Sequence, residues 1–401
     1  MPLLSPPTSS ANTSTNPAVA YFNAALDAQR ARHVAEAEQA YLQALSHDAN
    51  YADAYHMLGI LRHETGNSAD GVALIRRALA LREEALYLGN LGNILIEMGQ
   101  MQEAEVAYRR ALQLDPDASR THYNLAVLCA EIGNTAEAMA CYRRAIISLP
   151  DFVEALDNLG ILLHEDKHYR EAEKYYRRAL AARPDFFEAY VNLGKLQNDE
   201  GRLAEAEQSY LQALHYNPSL AEVHNNLGGL FEETKRTSMV QAAYKKALIL
   251  RPDYEHALSN LAHVLLDTDQ AEASERVFRR ALAIRADSYE ANNGLGSCLH
   301  GLRKLQEAEA VYRLAIAISP GVPAPYNNLG NLLRETGRLD EADRLFRCSM
   351  ETDEDKLGTI VNYAFLLLHR GDFELGWRYH EERLKQKDRR EPQRISNAVP
   401  W

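Results

Sequence analysis

The chain has 401 residues, 46% of them hydrophobic and 25% charged, a composition that excludes wholesale disorder. With 56 acidic against 44 basic residues the formal net charge is -12, so a nucleic-acid backbone is not expected as the main partner. No apolar run reaches the length of a membrane helix, and Met1-Pro2-Leu3-Leu4-Ser5-Pro6-Pro7 lacks the basic and apolar regions of a secretory signal. Cys129, Cys141, Cys298 and Cys348 show no Cys-x-x-Cys spacing; they fit a reducing, cytoplasmic compartment and no disulfide framework.

In chain order, residues 1–17 are rich in Ser, Thr and Pro and read as a disordered leader. The length alone would then suggest two or three domains, but a regular period replaces that expectation. Ala recurs at 44, 78, 111, 145, 179, 213, 247, 281 and 315, the first spacing being 33 residues and the rest 34. An aromatic residue or Ile precedes each by three (Tyr41, Ile75, Tyr108, Tyr142, Tyr176, Tyr210, Tyr244, Phe278, Tyr312), and Pro follows at 116, 150, 184, 218, 252 and 320. Eleven units result, beginning at 18, 52, 85, 119, 153, 187, 221, 255, 289, 323 and 357.

Within each unit, numbered from position 1, apolar residues at 4, 7 and 11 (Leu156, Leu159, Leu163) have the spacing of a first helix. Small residues at 8 (Gly92, Ala126, Gly160, Gly194) admit a second helix that carries a small residue at 20, the aromatic at 24 and Ala at 27. Gly at position 15 (Gly66, Gly99, Gly133, Gly201, Gly337, Gly371) suits the left-handed residue that ends a helix, and Pro at 32 stops the second helix. Such helix pairs cannot bury their apolar faces alone and must stack.

The pattern resembles the tetratricopeptide repeat (TPR) over about residues 18 to 385, with 386–401 as a tail or junction. The resemblance implies an all-α helix-turn-helix solenoid of about eleven repeats, wound as a right-handed superhelix with first helices on the concave face.

Function then rests on surface residues. Position 6 is Asn in nine units: Asn23, Asn90, Asn124, Asn158, Asn192, Asn226, Asn260, Asn328 and Asn362. A carboxamide can hold both polar groups of a peptide unit, so the row could grip an extended polypeptide; equally, it could bond between neighbouring helices. Position 13, seven residues on and on the same face, is acidic in Glu64, Glu97, Glu131, Glu165, Asp199, Glu233, Asp267 and Glu335. If it faces the groove it favours a basic partner; the alternative is a solvated helix edge. The peptide-binding candidates are therefore Asn90 through Asn362 of the row with Glu131, Glu165, Asp199 and Glu233. A basic band at positions 25 and 26 (Arg76-Arg77, Arg109-Arg110, Arg143-Arg144, Arg177-Arg178, Lys245-Lys246, Arg279-Arg280) has acids four residues earlier at several members, as Glu105 before Arg109 and Glu173 before Arg177, and reads as a salt-bridged back.

Three other matches do not support function. His164-Glu165-Asp166-Lys167-His168 spells H-E-x-x-H but straddles the turn of its unit, so its His residues would not share a helical face to bind zinc. Arg370-Gly371-Asp372 is explained by the turn Gly, and Asn12-Thr13-Ser14 is a sequon in a chain without a secretion signal. No phosphate loop, nucleophile elbow or paired-carboxylate site emerges, so neither an enzyme active site nor a cofactor is expected.

Relatives that clamp chaperone carboxylates use Lys and Arg on first helices, whereas Glu154, Glu188 and Glu222 stand at position 2 here, with Gly89, Tyr123 and Asp157 at position 5. The Asn row instead resembles the repeat region of protein O-GlcNAc transferases. The divergent last unit (Gly371 to Arg383) and Val399-Pro400-Trp401 are similar to bacterial TPR proteins in which a glycosyltransferase domain follows. The expectation is a protein-binding scaffold with an Asn-lined acidic groove; the alternative is the recognition arm of a glycosyltransferase acting in cis or in trans. Self-association end to end is a third expectation.

Overall fold

The computed structural model describes residues 16–352 and 357–387. Among the described residues there are 22 α-helices and no strand, two helices to each of eleven repeats. The chain divides into two compact units, Met1–Arg202 and Leu203–Trp401. The first contains α1 (Pro17–Arg30), α2 (Val34–His47), α3 (Ala52–Glu64), α4 (Ser68–Leu81), α5 (Ala85–Glu97), α6 (Met101–Leu114), α7 (Ser119–Glu131), α8 (Thr135–Ser148), α9 (Val153–Glu165), α10 (Tyr169–Ala182) and α11 (Phe187–Asp199). The second contains α12 (Leu203–Tyr216), α13 (Ala221–Glu233), α14 (Thr237–Leu250), α15 (Glu255–Asp267), α16 (Ala271–Ile284), α17 (Tyr289–Gly301), α18 (Leu305–Ile318), α19 (Pro323–Glu335), α20 (Leu339–Thr352), α21 (Leu357–His369) and α22 (Phe373–Lys387). The proposed leader before Asn16 and the tail beyond Lys387 lie outside the described residues.

Odd-numbered helices are first helices and occupy positions 1 to 13, α1 starting one residue earlier; even-numbered ones are second helices at positions 17 to 30, α22 ending one residue later. Within each unit a first helix packs on its own second helix, which packs on the next first helix. First helices also touch each other, as α3 with α5, α9 with α11, and α17 with α19. They therefore form a continuous row inside each unit.

Two local rules make the pairs. At position 8 only Gly or Ala stands, and where it is Gly the fit is close: a Cβ on Gly160 would lie 2.5 Å from Cε1 of Tyr176, and one on Gly296 would lie 2.5 Å from Cε1 of Tyr312. Those rings, at position 24, are fully buried, so the Tyr stripe is core. The second rule is the turn. Position 15 is left-handed in all eleven repeats, but the sequence reading found only its six glycines. Arg32, Lys167, Lys235, Asp269 and Arg303 adopt φ between 55° and 61° at the same position. There the next amide reaches back to close the first helix (Asn67 N–H to the Arg62 carbonyl, 2.8 Å; His168 N–H to the Leu163 carbonyl, 2.8 Å), which overrides the cost of a side chain in that conformation.

Candidate functional site

The position-6 carboxamides are tied into a ladder between neighbouring first helices, the alternative that the sequence leaves open beside an open groove. Six of the nine donate Nδ2–H to the residue at position 5 of the preceding repeat, 34 or 35 residues earlier. In the first unit Asn90 donates to His56 Nε2 (3.0 Å), Asn158 to Tyr123 Oη (3.3 Å) and Asn192 to both carboxylate oxygens of Asp157 (3.1 and 3.0 Å). In the second unit Asn260 donates to Asn225, Asn328 to Asn293 and Asn362 to Asn327, at 3.1, 3.0 and 3.0 Å. Asn124 finds Gly89 at position 5, which has no acceptor, and donates instead to Asn93 Oδ1 (2.7 Å). For Asn226 the residue 35 earlier is Val191, and its Nδ2 is buried without a partner.

This geometry revises the Asn row. Asn90 and Asn124 are fully buried and cannot line an open groove; they cross-link helices. Asn158, Asn192, Asn226, Asn260, Asn328 and Asn362 are half-buried, and their Nδ2–H groups are already committed or buried. The Oδ1 atoms of Asn158, Asn192, Asn260, Asn328 and Asn362 accept no bond from the described residues. A carboxamide that was read as donor and acceptor is thus an anchored acceptor.

The acceptors at position 5 differ in consequence. His56 is stacked on Tyr87 (ring centroids 4.4 Å apart), and burial pushes its pKa down to about 4, leaving a neutral imidazole. Asp157 is 5% exposed; burial pushes its carboxyl up to about 6, against the lowering effect of the Asn192 bonds. Tyr176 has a fully buried hydroxyl with no partner, because position 9 of its repeat is Ile161, where Tyr108 and Tyr312 find Asn93 (2.8 Å) and Ser297 (3.2 Å).

The acids at position 13 are all exposed. Some are paired with position 12 of the preceding repeat: Gln29 with Glu64 (3.1 Å), His63 with Glu97 (3.1 Å), His164 with Asp199 (2.9 Å) and His300 with Glu335 (3.1 Å). The His300 bond, joined by Arg303, lowers the Glu335 pKa. Glu131 and Glu165 in the first unit, and Glu233 and Asp267 in the second, form no ion pair with the described residues. They leave uncompensated carboxylates on the first-helix row.

The other matches resolve by position. His164 ends α9 and His168 precedes α10 across the left-handed Lys167; they pair separately with Asp199 (2.9 Å) and Asp166 (3.0 Å). Cys129, Cys141 and Cys298 are buried, and burial raises the pKa of each, that of Cys129 to about 11. Among the described residues no group of three His, Cys, Asp or Glu is placed to hold a metal, and no helix is long and apolar enough to cross a membrane.

The basic band on the second helices is an ion-pair zipper. Arg at position 25 reaches Glu at position 19 of the next repeat: Arg76–Glu103 (2.6 Å), Arg109–Glu137 (2.6 Å), Arg279–Glu307 (2.8 Å) and Arg313–Glu341 (3.3 Å). Glu at position 21 binds a cation at position 16 of the next repeat, as in Glu173–Arg202 (2.9 Å), Glu207–Arg236 (2.8 Å), Glu275–Lys304 (2.8 Å) and Glu309–Arg338 (2.8 Å). The Arg residues at position 25 are thus paired within the protein, as expected of a salt-bridged back, whereas Lys245 and Lys246 form no ion pair with the described residues.

Models of the tetratricopeptide repeat match residues 83–146, residues 158–221 and 259–323, and residues 326–359. Among solved structures, a tetratricopeptide repeat protein from Parabacteroides merdae is 19% identical, with a TM-score of 0.50 over 62% of this chain and 98% of that one. The C-terminal part of a TPR repeat-containing protein from Cytophaga hutchinsonii is 17% identical, with a TM-score of 0.50 over 60% of this chain and 99% of that one. No curated protein matches the chain. These likenesses show the fold.

Proposed function

This chain is an all-α tetratricopeptide-repeat solenoid, and on that premise we propose that it binds polypeptide partners along the first helices of each unit. The observation that carries the reading is the half-spent carboxamide. Nδ2–H bonds to the preceding repeat fix Asn158 and Asn192 in the first unit, and Asn260, Asn328 and Asn362 in the second. Their Oδ1 atoms are left as pre-oriented acceptors, and the exposed Glu131 and Glu165 stand on the first helices of the first unit, as Glu233 and Asp267 do on those of the second. A row of acceptors bordered by carboxylates suits a partner that supplies donors: backbone N–H groups of an extended segment together with Lys or Arg side chains. Fixed acceptors also spare the side-chain ordering cost of binding.

The test uses a labelled unstructured peptide with Lys at intervals and its Glu-substituted counterpart. The variant Asn260→Ala/Asn328→Ala/Asn362→Ala removes three acceptors whose partners, Asn225, Asn293 and Asn327, are neutral. Weaker binding of the Lys peptide with helicity retained is the expected result. Unchanged binding, or equal binding of the Glu peptide, would overturn the proposal.

The second reading, recognition arm of a glycosyltransferase, draws on the last repeat. Phe373, Trp377 and Phe365 are 62%, 55% and 43% exposed there, an apolar end face that a catalytic domain could cover. It predicts sugar transfer only when a separate catalytic polypeptide is supplied. Turnover of a UDP-sugar by the purified chain alone would sink both readings.

A further inference from the structure

In one stretch of the second unit the ion-pair zipper gives way to apolar and unpaired basic side chains, and that stretch has a chemistry of its own. In the zipper register a residue at position 25 meets the one 28 residues later, as Arg109 meets Glu137 and Arg279 meets Glu307. In the second unit the same register pairs Leu211 of α12 with Met239 of α14. Both are exposed, by 52% and 43%, where most other repeats place an Arg and a Glu. Glu207, four residues before Leu211, is held by Arg236 of the next repeat through two bonds of 2.8 Å, so no free carboxylate borders the pair.

The charges beside it are equally one-sided. Alone among the second helices, α14 contains no Asp or Glu. Lys245 has Gln241 at position 21, where six other repeats place Glu, and donates to its Oε1 at 3.3 Å; Ala273 stands 28 residues on, where Glu would close the zipper. Lys245 and Lys246 are exposed and form no ion pair with the described residues. Met239 and Lys246 are seven residues apart on one stripe of α14, which separates the apolar anchor from the ammonium by about 10 Å.

We infer that the α12–α14 back is a docking surface for an acidic amphipathic segment of a partner protein. Its apolar side chain covers Leu211 and Met239, while its carboxylates, two helical turns along, meet Lys245 and Lys246. Charge complementarity selects this occupant on a chain of net charge -12. A second copy apposed through the same patch would set lysines against lysines. A polyanionic backbone would find an apolar centre and two lysines, too few for counterion-driven binding.

The experiment titrates a synthetic helical peptide bearing Leu and, seven residues away, Glu, followed by fluorescence anisotropy. A counter-probe has every Glu replaced by Lys. The variant Leu211→Arg/Met239→Glu rebuilds the link used by the other repeats, so it erases the patch while keeping the fold, as circular dichroism checks. Lys245→Glu/Lys246→Glu reverses the charge. The wild type should bind the acidic peptide about tenfold tighter than the counter-probe, and each variant should lose about tenfold. Any of four results overturns the inference: no saturable binding by the wild type up to roughly 1 mM peptide, equal binding by Leu211→Arg/Met239→Glu, preference for the Lys probe, or binding to vesicles of anionic lipid without binding to the peptide.

Discussion

Asp157 is the residue whose replacement tests the ladder most sharply. Its carboxyl is buried between α9 and α11, receives both bonds of Asn192, and has its pKa pushed from the ordinary 3.8 to about 6. A folded-state pKa above the unfolded one means that the folded chain holds the proton more tightly. The corresponding stability is complete below the unfolded pKa and disappears as pH rises through about 6. A gap of about two pH units at ~1.36 kcal/mol each corresponds to roughly 3 kcal/mol lost on ionisation. Asp157→Asn removes the charge and installs the Asn-to-Asn bond already present at Asn260–Asn225, Asn328–Asn293 and Asn362–Asn327. The variant should be more stable than wild type by about 2–3 kcal/mol near pH 7.5 and nearly equal to it near pH 4. Urea unfolding at the two pH values measures the difference, and hydrogen exchange over α9 and α11 localises it, since repeat arrays open locally. If the variant is no more stable than wild type near neutral pH, or keeps the wild-type pH dependence, the assignment of Asp157 as a buried, destabilised acceptor is wrong.

Tyr176→Phe should leave stability unchanged or slightly higher, because the lost hydroxyl has no partner, while Tyr108→Phe should cost about 1 kcal/mol through its bond to Asn93. Thermal melts of the two variants decide, and an equal loss in both would refute the distinction. Gly160→Ala places a Cβ 2.5 Å from a fully buried ring; overpacking of about 1–3 kcal/mol should exceed the ~1 kcal/mol gained in helix propensity. A raised melting temperature would contradict that ordering. Lys167→Gly relieves a side chain held at φ 61° and should stabilise by about 0.5–1 kcal/mol, read as a shift in denaturation midpoint; a lower midpoint would show that Lys167 is not strained.

The period and the core were legible because they depend on contacts inside one repeat. Gly160 facing Tyr176 and Leu159 facing inward follow from spacing alone. The left-handed turn was half legible: its glycines announced it, but Lys167 and Asp269 adopt it because their neighbours close the helix, which no propensity records. The ladder was not legible as a ladder. Its donor row was visible as a column of Asn, but the acceptors are His56, Tyr123, Asp157 and three Asn, chemically unlike one another and joined by nothing except a 34- or 35-residue offset. A search for polar residues at that offset would have found them. The His pairs that cover part of the acidic row, such as His164 with Asp199, share the same offset and escaped for the same reason.

The ladder bears on how such an array grows. Asn327 receives a bond from Asn362 while its neighbour Asn328 gives one to Asn293. A repeat carrying Asn-Asn at these two positions thus holds both halves of the joint, and a duplicate inserted beside it would find a mate on either side. The repeat that begins at Val153 has a charged, buried half in Asp157, and the one that begins at Tyr289 has Gly294, which gives nothing and is closed by the ring of Phe278. Some repeats are interchangeable bricks and others are fitted to one neighbour. Duplication and loss of repeats in this lineage should therefore concentrate where both halves of the joint are amides.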